Sequence, residues 1–373
     1  MTGPNPTAMS HRAPRILIAA SGTGGHLMPA LYIAQSIKSK IPSAEIEFVG
    51  SGRPLEETVL GKAGFQRSVV DIVGLKKRGI SGALQFLGKL PAAVSKTLSI
   101  FARHRPDVIV GVGGYVTFLP VVIGRLKGVP SWIHEAERKP GMANLVLSYV
   151  AKRISVAFED SSIPNRHKTL VTGQPVRPAL IALGEESHEL SSPPKLLIMG
   201  GSQGAKAVDE ALMTIAPWLA ANSIEVWHQC RPENQDVVRG EYSQAGVAAQ
   251  VVSFIENLEP AYRWADIVLA RSGAGTVMEI GVVNRPAILV PYPHAQANHQ
   301  LTNALTLSER GKAIIVEEGE GFPDRLKEAL LSLLSPENYQ AMRARPLVGR
   351  KVSAADAIAD GVLQLAMHAD SAE

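Results

Sequence analysis

The chain has 373 residues, more than one hydrophobic core usually serves, so two domains are expected. Apolar residues at 46% against 19% charged mark a compact globular protein, and aromatics at 5% argue against a base-stacking nucleic-acid binder. A net charge of +4 suits an anionic membrane surface or a phosphorylated substrate, and a single cysteine, Cys230, excludes a disulfide framework and a cysteine-based zinc site and fits a reducing compartment.

Residues 1–13 are polar and contain prolines, which predicts a disordered tail. Residues 15–20 read as a buried strand, too short for a secretion signal, running into Ser21-Gly22-Thr23-Gly24-Gly25-His26. A helix pattern follows through Leu31, Ile33, Ala34 and Ile37. Gly24 and Gly25 let the backbone approach a pyrophosphate closely. His26 stands at the start of a helix, where the positive field disfavours imidazolium and leaves a neutral ring able to act as a base or a hydrogen-bonding group. Residues 45–49 form a second strand. No third loop glycine and no carboxylate at that strand's end are present, which argues against a dinucleotide cofactor.

Residues 76–105 mix Lys76, Lys77, Arg78, Lys89, Lys96, Arg103 and Arg105 with apolar residues at spacings of three and four. The pattern predicts one or two amphipathic helices broken near Pro91. The segment 75–90 combines apolar and basic residues suited to an anionic leaflet or a lipid substrate. Residues 108–124 are seventeen uncharged residues, but their glycines and Pro120 favour strand, glycine loop and buried helix over a membrane span. A strand ending in His134-Glu135 comes next. Gly173-Gln174-Pro175-Val176-Arg177 fits a domain crossover.

Residues 195–199 open the second half as a strand, followed by Gly200-Gly201-Ser202-Gln203-Gly204-Ala205 and a helix predicted over 208–219. Residues 251–254 read as a strand, and Phe254 and Ile255 either simply end it or flank a flat base. Residues 267–270 are a further apolar strand, ending in Arg271-Ser272-Gly273-Ala274-Gly275-Thr276. The helix pattern beyond runs to Val283, and 287–290 is the next strand. Small residues at that turn free backbone N–H groups for a phosphate. Glu279, in the first helical turns, can accept both hydroxyls of a ribose. His294, Asn298, His299, Gln300 and Asn303 crowd the following loop and helix start, a set suited to sugar hydroxyls. The last helix pattern, 354–367, is expected to pack on the first half.

These motifs together resemble the MurG family of UDP-GlcNAc transferases that build lipid II. The matching stretches are Gly-Thr-Gly-Gly-His at 22–26, the glycine loop 111–115, the Pro-Val-Arg crossover at 175–177, the turn 271–279 and the His-Gln-x-x-Asn-Ala close at 299–304. The resemblance covers roughly residues 15–365 and implies an α/β protein of two doubly wound Rossmann-like domains facing a cleft, the glycosyltransferase B fold. It implies an N-terminal acceptor and membrane-side domain over 14–175, with the helix 352–368 packed back on it, and a C-terminal UDP-GlcNAc-binding domain over 176–351. The implied reaction is inverting transfer of GlcNAc to the MurNAc 4-hydroxyl of undecaprenyl-diphospho-MurNAc-pentapeptide, lipid I. A single displacement needs a base, assigned to His26 with Glu135 as the alternative, and stabilisation of departing UDP.

The donor contacts carried over are Thr23, Gly24, Gly25, Arg177, Ser202, Ile255 through its backbone to uracil, Ala274, Gly275, Thr276, Val277, Met278, Glu279 on the ribose, and His299 with Gln300 on GlcNAc. The family pattern has Asn where this chain has Glu137, which changes that sugar contact and adds charge near a diphosphate. No cofactor and no metal are implied, since no Asp-x-Asp occurs. The partners implied are UDP-GlcNAc, lipid I, an anionic membrane surface and other cell-wall synthesis proteins, at the cytoplasmic face of the cell membrane, with no nucleic acid. The rival readings are another B-fold glycosyltransferase, a nucleotide-sugar epimerase, or a non-catalytic nucleotide-sugar or membrane-binding protein.

Overall fold

The computed structural model describes residues 12–20, 24–72, 79–201, 204–295, 298–345 and 353–370. Thirteen strands form two sheets, and every strand pair is parallel. The first sheet contains β1 (Arg15–Ala19), β2 (Glu45–Gly50), β3 (Gln66–Val69), β4 (Val108–Gly111), β5 (Ser131–Glu135), β6 (Arg153–Val156) and β7 (Thr169–Val171). Its order is β3-β2-β1-β4-β5-β6-β7. The second contains β8 (Lys195–Met199), β9 (Glu225–Gln229), β10 (Ala249–Val252), β11 (Ile267–Ala270), β12 (Ala287–Leu289) and β13 (Ala313–Ile315), ordered β10-β9-β8-β11-β12-β13. Each sheet therefore repeats the doubly wound order, reversing direction at β1/β4 and again at β8/β11. Ligands of such sheets bind outside the carboxyl ends of the strands at those reversals.

The central strands are apolar runs because helices cover both faces. Leu17, Ile18, Val108, Ile109, Leu197, Ile198, Val268 and Leu269 are all fully buried. Four of the glycine-bearing loops read from the sequence follow β1, β4, β8 and β11, so they stand in pairs at the two reversals. Residues 108–124 resolve into β4, a short turn and the helix Phe118–Leu126. No helix among the described residues is long and apolar enough to cross a membrane.

The last helix, Ala354–Asp370, lies along the helix Gly24–Lys40 that carries His26. Ile358, Ala359, Val362 and Leu363 join the core formed by Ile16, Leu27, Ala30 and Ile33. A Cβ on Gly361 would overlap the Trp132 ring, so glycine there lets the helix sit close against β5. Lys40 and Asp360 add an ion pair of 2.8 Å.

Three local expectations change. The helix Gly79–His104 runs unbroken through Pro91. Pro91 is on the exposed face, where water can satisfy the carbonyl that loses its helical donor, while Ala93, Ile100 and Phe101 anchor the other face in the core. The helix expected over 208–219 is two, Lys206–Thr214 and Ala216–Ala221, because Pro217 takes the first turn of the second and disfavours continuous helix before it. β10 ends at Val252 rather than 254, leaving Phe254 64% exposed beyond the sheet edge. Of the expected tail, 1–13, residues 1–11 lie outside the described residues, as does the basic cluster Lys76, Lys77 and Arg78, while Arg12 pairs with Asp107 at 2.6 Å.

Candidate active site at the two sheet reversals

At the first reversal, His26 is the third residue of its helix and is half-buried. The loop after β4 comes up against it. Gly113 and Gly114 have φ of 97° and 82°, and a Cβ on Gly113 would fall 2.8 Å from His26 Nδ1 and Cε1. Only glycine permits both the backbone conformation and that approach. Thr117 Oγ1 donates to the Gly113 carbonyl at 2.8 Å and fixes the loop.

Behind His26 lies a buried polar chain. His134 Nε2 is 2.8 Å from Gln174 Oε1, an acceptor, so Nε2 carries the hydrogen. Nδ1 then accepts from Ser155 Oγ at 3.0 Å, and that hydroxyl accepts from Trp132 Nε1 at 2.8 Å. Burial holds His134 neutral, down to about 4, and the Gln174 hydrogen bond resists that shift. The nearness of His26 pushes it further down.

Glu135 is only 3% exposed and closes the next loop. It accepts from Glu137 N at 2.8 Å, Gly141 N at 3.1 Å and Asn144 Nδ2 at 3.0 Å. Burial pushes its carboxyl up to about 7, against the pull of those three donors toward the anion. Both oxygens are committed to holding the segment 136–141.

The second reversal is arranged differently. Glu279 sits in the second turn of the helix Ala274–Val283, and Tyr262 OH donates to its Oε2 at 3.2 Å. Burial lifts Glu279 to about 7, while the Tyr262 hydrogen bond and the Arg177 charge oppose the rise. Arg177 precedes the helix Pro178–Glu185 and donates to Asn257 Oδ1 at 2.6 Å. Tyr32, six residues beyond His26 in the same helix, feels both Arg177 and Glu279. Ala274, Val277 and Met278 are buried, whereas Gly275 and Thr276 are half-exposed. Cβ atoms on Gly273 and Gly275 would meet nothing within 4 Å, nor would one on Gly25. No side chain among the described residues caps the helix at Ala274, so its first N–H groups face that space.

Ile255 buries its side chain in the core, leaving its backbone as the contact it offers. His299 opens the helix His299–Ser308 half-buried. Gln300 Oε1 accepts from Tyr292 N at 2.9 Å, which turns its NH₂ into the free donor. Arg271 is spent on structure. It donates to the Val290 carbonyl at 3.2 Å, pairs with Glu318 at 2.5 Å and lies 5.4 Å over the Tyr292 ring. Thr23 and Ser202 lie outside the described residues.

Residues 16–156 match the glycosyltransferase family 28 N-terminal domain, and residues 195–360 match the C-terminal domain of the same family. A Nitratidesulfovibrio vulgaris protein is 36% identical over 363 residues, covering 94% of this chain and 97% of its own. It is named UDP-N-acetylglucosamine--N-acetylmuramyl-(pentapeptide) pyrophosphoryl-undecaprenol N-acetylglucosamine transferase. A Shewanella frigidimarina protein of the same name is 35% identical, covering 92% of this chain and 94% of its own. The crystal structure of Acinetobacter baumannii MurG superposes with a TM-score of 0.77 at 27% identity, over 94% of this chain and 99% of that one.

The chain belongs to the MurG family.

A UDP-GlcNAc 2-epimerase from Neisseria meningitidis shares the fold at a TM-score of 0.65 and 16% identity, over 94% of this chain and all of that one. The two doubly wound domains facing a cleft are thus the glycosyltransferase B arrangement of the MurG family.

Glu137 is where this chain leaves the MurG pattern. Its Oε2 accepts from Asn303 Nδ2 at 2.7 Å, and the same amide donates to the Ser272 carbonyl at 3.3 Å. Arg138 donates to the Thr302 carbonyl at 2.9 Å and lies 3.7 Å from Glu309. The loop after β5 therefore reaches across to the helix His299–Ser308 of the second domain. Sequence reasoning had no signal for that span, because its partner lies 166 residues away.

Proposed function

We infer that the chain transfers GlcNAc from UDP-GlcNAc to the MurNAc 4-hydroxyl of lipid I, with inversion, in peptidoglycan synthesis. The observation that carries the reading is the pairing of His26, pressed against Gly113 at one reversal, with Glu279 beside open glycine positions at the other. His26 serves as the base that takes the acceptor proton. Glu135 is a positioning residue rather than the base, because its oxygens are occupied by three donors of its own loop. Glu279 accepts the ribose hydroxyls, and the Ile255 backbone meets the uracil. The N–H groups at 274–277, with Thr23 and Ser202, receive the diphosphate, whose developing charge Arg177 helps to stabilise. His299 and the free Gln300 amide take the GlcNAc hydroxyls. Glu137 positions Asn303 beside them.

The reading also places the protein at the cytoplasmic face of the membrane, where lipid I is held. The helix Met142–Val150 supports it. Met142, Val146 and Tyr149 are 70%, 46% and 68% exposed and fall on one face at spacings of four and three. Exposed Lys139, Lys152 and Arg153 flank the helix ends. Apolar contact plus basic charge is what an anionic leaflet selects.

The test is product analysis after incubation with UDP-GlcNAc and a short-chain lipid I analogue. Free UDP and a β-linked disaccharide in equal amounts are expected. Intact UDP-GlcNAc, or its 2-epimer, would overturn the assignment.

A further inference from the structure

Departing UDP carries negative charge, and the sequence places no cation at the loop 200–205. The structure does so from the neighbouring strand. β9 lies between β10 and β8, with Gln229 opposite both Val252 and Met199. The chain beyond Gln229 therefore emerges between the Phe254–Ile255 turn and the glycine loop. Gln229 Nε2 bridges the two, donating to the Gly201 carbonyl at 3.2 Å and the Ser253 carbonyl at 3.5 Å. Cys230 N continues the strand pairing to the Val252 carbonyl at 3.0 Å.

Arg231 comes next. Its side chain lies across Gly204, which has φ of 67°, so closely that a Cβ there would overlap Arg231 Cγ. The Arg231 side chain is 38% exposed, and its guanidinium is paired with Glu233, whose side chain is 55% exposed. That partner is largely in solvent and has no other side-chain partner among the described residues, so an anion of higher charge can displace it.

We propose that Arg231 binds the diphosphate of the donor, exchanging Glu233 for phosphate oxygens when UDP-GlcNAc enters. The proposal rests on the reading that uracil lies at Ile255 and that the diphosphate reaches Ser202 in the loop after β8, since Arg231, after β9, stands between those two places in the sheet. Gly204 then has a second reason to lack a side chain: it seats the arginine stem, as Gly113 seats His26. A planar guanidinium suits two phosphate oxygens at once, which a lysine ammonium does not.

The test compares UDP with uridine, which lacks the phosphates, by isothermal titration. Arg231→Met keeps the stem over Gly204 and removes the charge; unchanged thermal unfolding checks that it folds. It should weaken UDP about tenfold, a modest effect for a half-exposed charged hydrogen bond, and leave uridine within twofold. Arg231→Lys should recover part of the loss. UDP affinity within twofold of wild type in Arg231→Met would overturn the proposal. So would equal weakening of UDP and uridine, which would make Arg231 a support for the base turn. A wild-type protein that binds neither compound would overturn the donor-site reading itself.

Discussion

The loop after β4 and the loop after β11, one at each sheet reversal, use glycine for opposite purposes. At the first, Gly113 makes room for a protein group: His26 fills the space where its Cβ would stand. Around it, His134, Gln174 and Ser155 are buried and joined by hydrogen bonds of 2.8–3.0 Å, and buried Glu135 accepts from the backbone of its own loop at 2.8–3.1 Å. At the second, Gly273 and Gly275 face open space, and Arg177 and Arg231 hold partners at the surface. A rigid, prepaid arrangement suits a group that must meet the acceptor hydroxyl in one geometry. Open glycines and arginines with exchangeable surface partners suit a ligand that arrives carrying two phosphates. The same sequence pattern, strand then glycine loop then helix, thus codes for a placed side chain after β4 and an open turn after β11.

The largest effect that would sharpen this contrast belongs to His26. His26→Ala should lower kcat by roughly 100- to 10,000-fold, the usual worth of a positioned base, at saturating UDP-GlcNAc. If steady-state assays instead show an unchanged kcat with a raised donor KM, His26 is a donor contact and the contrast fails.

Next in size is Glu279→Ala. Removing a buried acceptor for ribose hydroxyls should weaken UDP by about 1.5–3 kcal/mol, read by isothermal titration. Wild-type affinity for UDP in that variant would remove Glu279 from the donor site.

The smallest expected effect is on folding. Burial raises Glu279 from 4.5 to about 7 in the folded state. The folded protein therefore holds a proton that the unfolded chain has released. This carboxyl's contribution is full below about pH 4.5 and is lost as pH rises through about 7. His134, held neutral down to about 4, works the other way, weakening the fold as pH falls below its unfolded value. The comparison that isolates Glu279 is with Glu279→Gln, which keeps an acceptor for Tyr262. Denaturant titrations at pH 5 and pH 7.5 should show wild type losing about 1–2 kcal/mol relative to that variant. Parallel curves for the two proteins would mean that Glu279 is not desolvated before ligand arrives.

Much of this was legible because parallel strands buried on both faces leave apolar runs, and glycine loops punctuate them. The loops after β1, β4, β8 and β11, and the helix bearing Glu279, follow from such local patterns. What escaped depends on partners far along the chain. Glu135 looks like a free carboxylate in sequence, yet the backbone N–H groups of Glu137 and Gly141 turn back to occupy it. Glu56 is similar: it comes from a helix to accept from Ser51 N at 3.0 Å and Gly52 N at 2.8 Å, supplying after β2 the carboxylate that no residue of the strand end provides. Arg231 carried no motif at all. It acquires meaning only once the strand order sets β9 between the base turn and the phosphate loop.

The division of labour between the reversals is tested most directly by UDP titration into His26→Ala beside Glu279→Ala, under one set of conditions. His26→Ala should bind UDP within twofold of wild type while Glu279→Ala loses at least tenfold, the fold-change that roughly 1.5 kcal/mol corresponds to. Equal losses in the two variants would contradict the account, because His26 and Glu279 would then serve the same ligand.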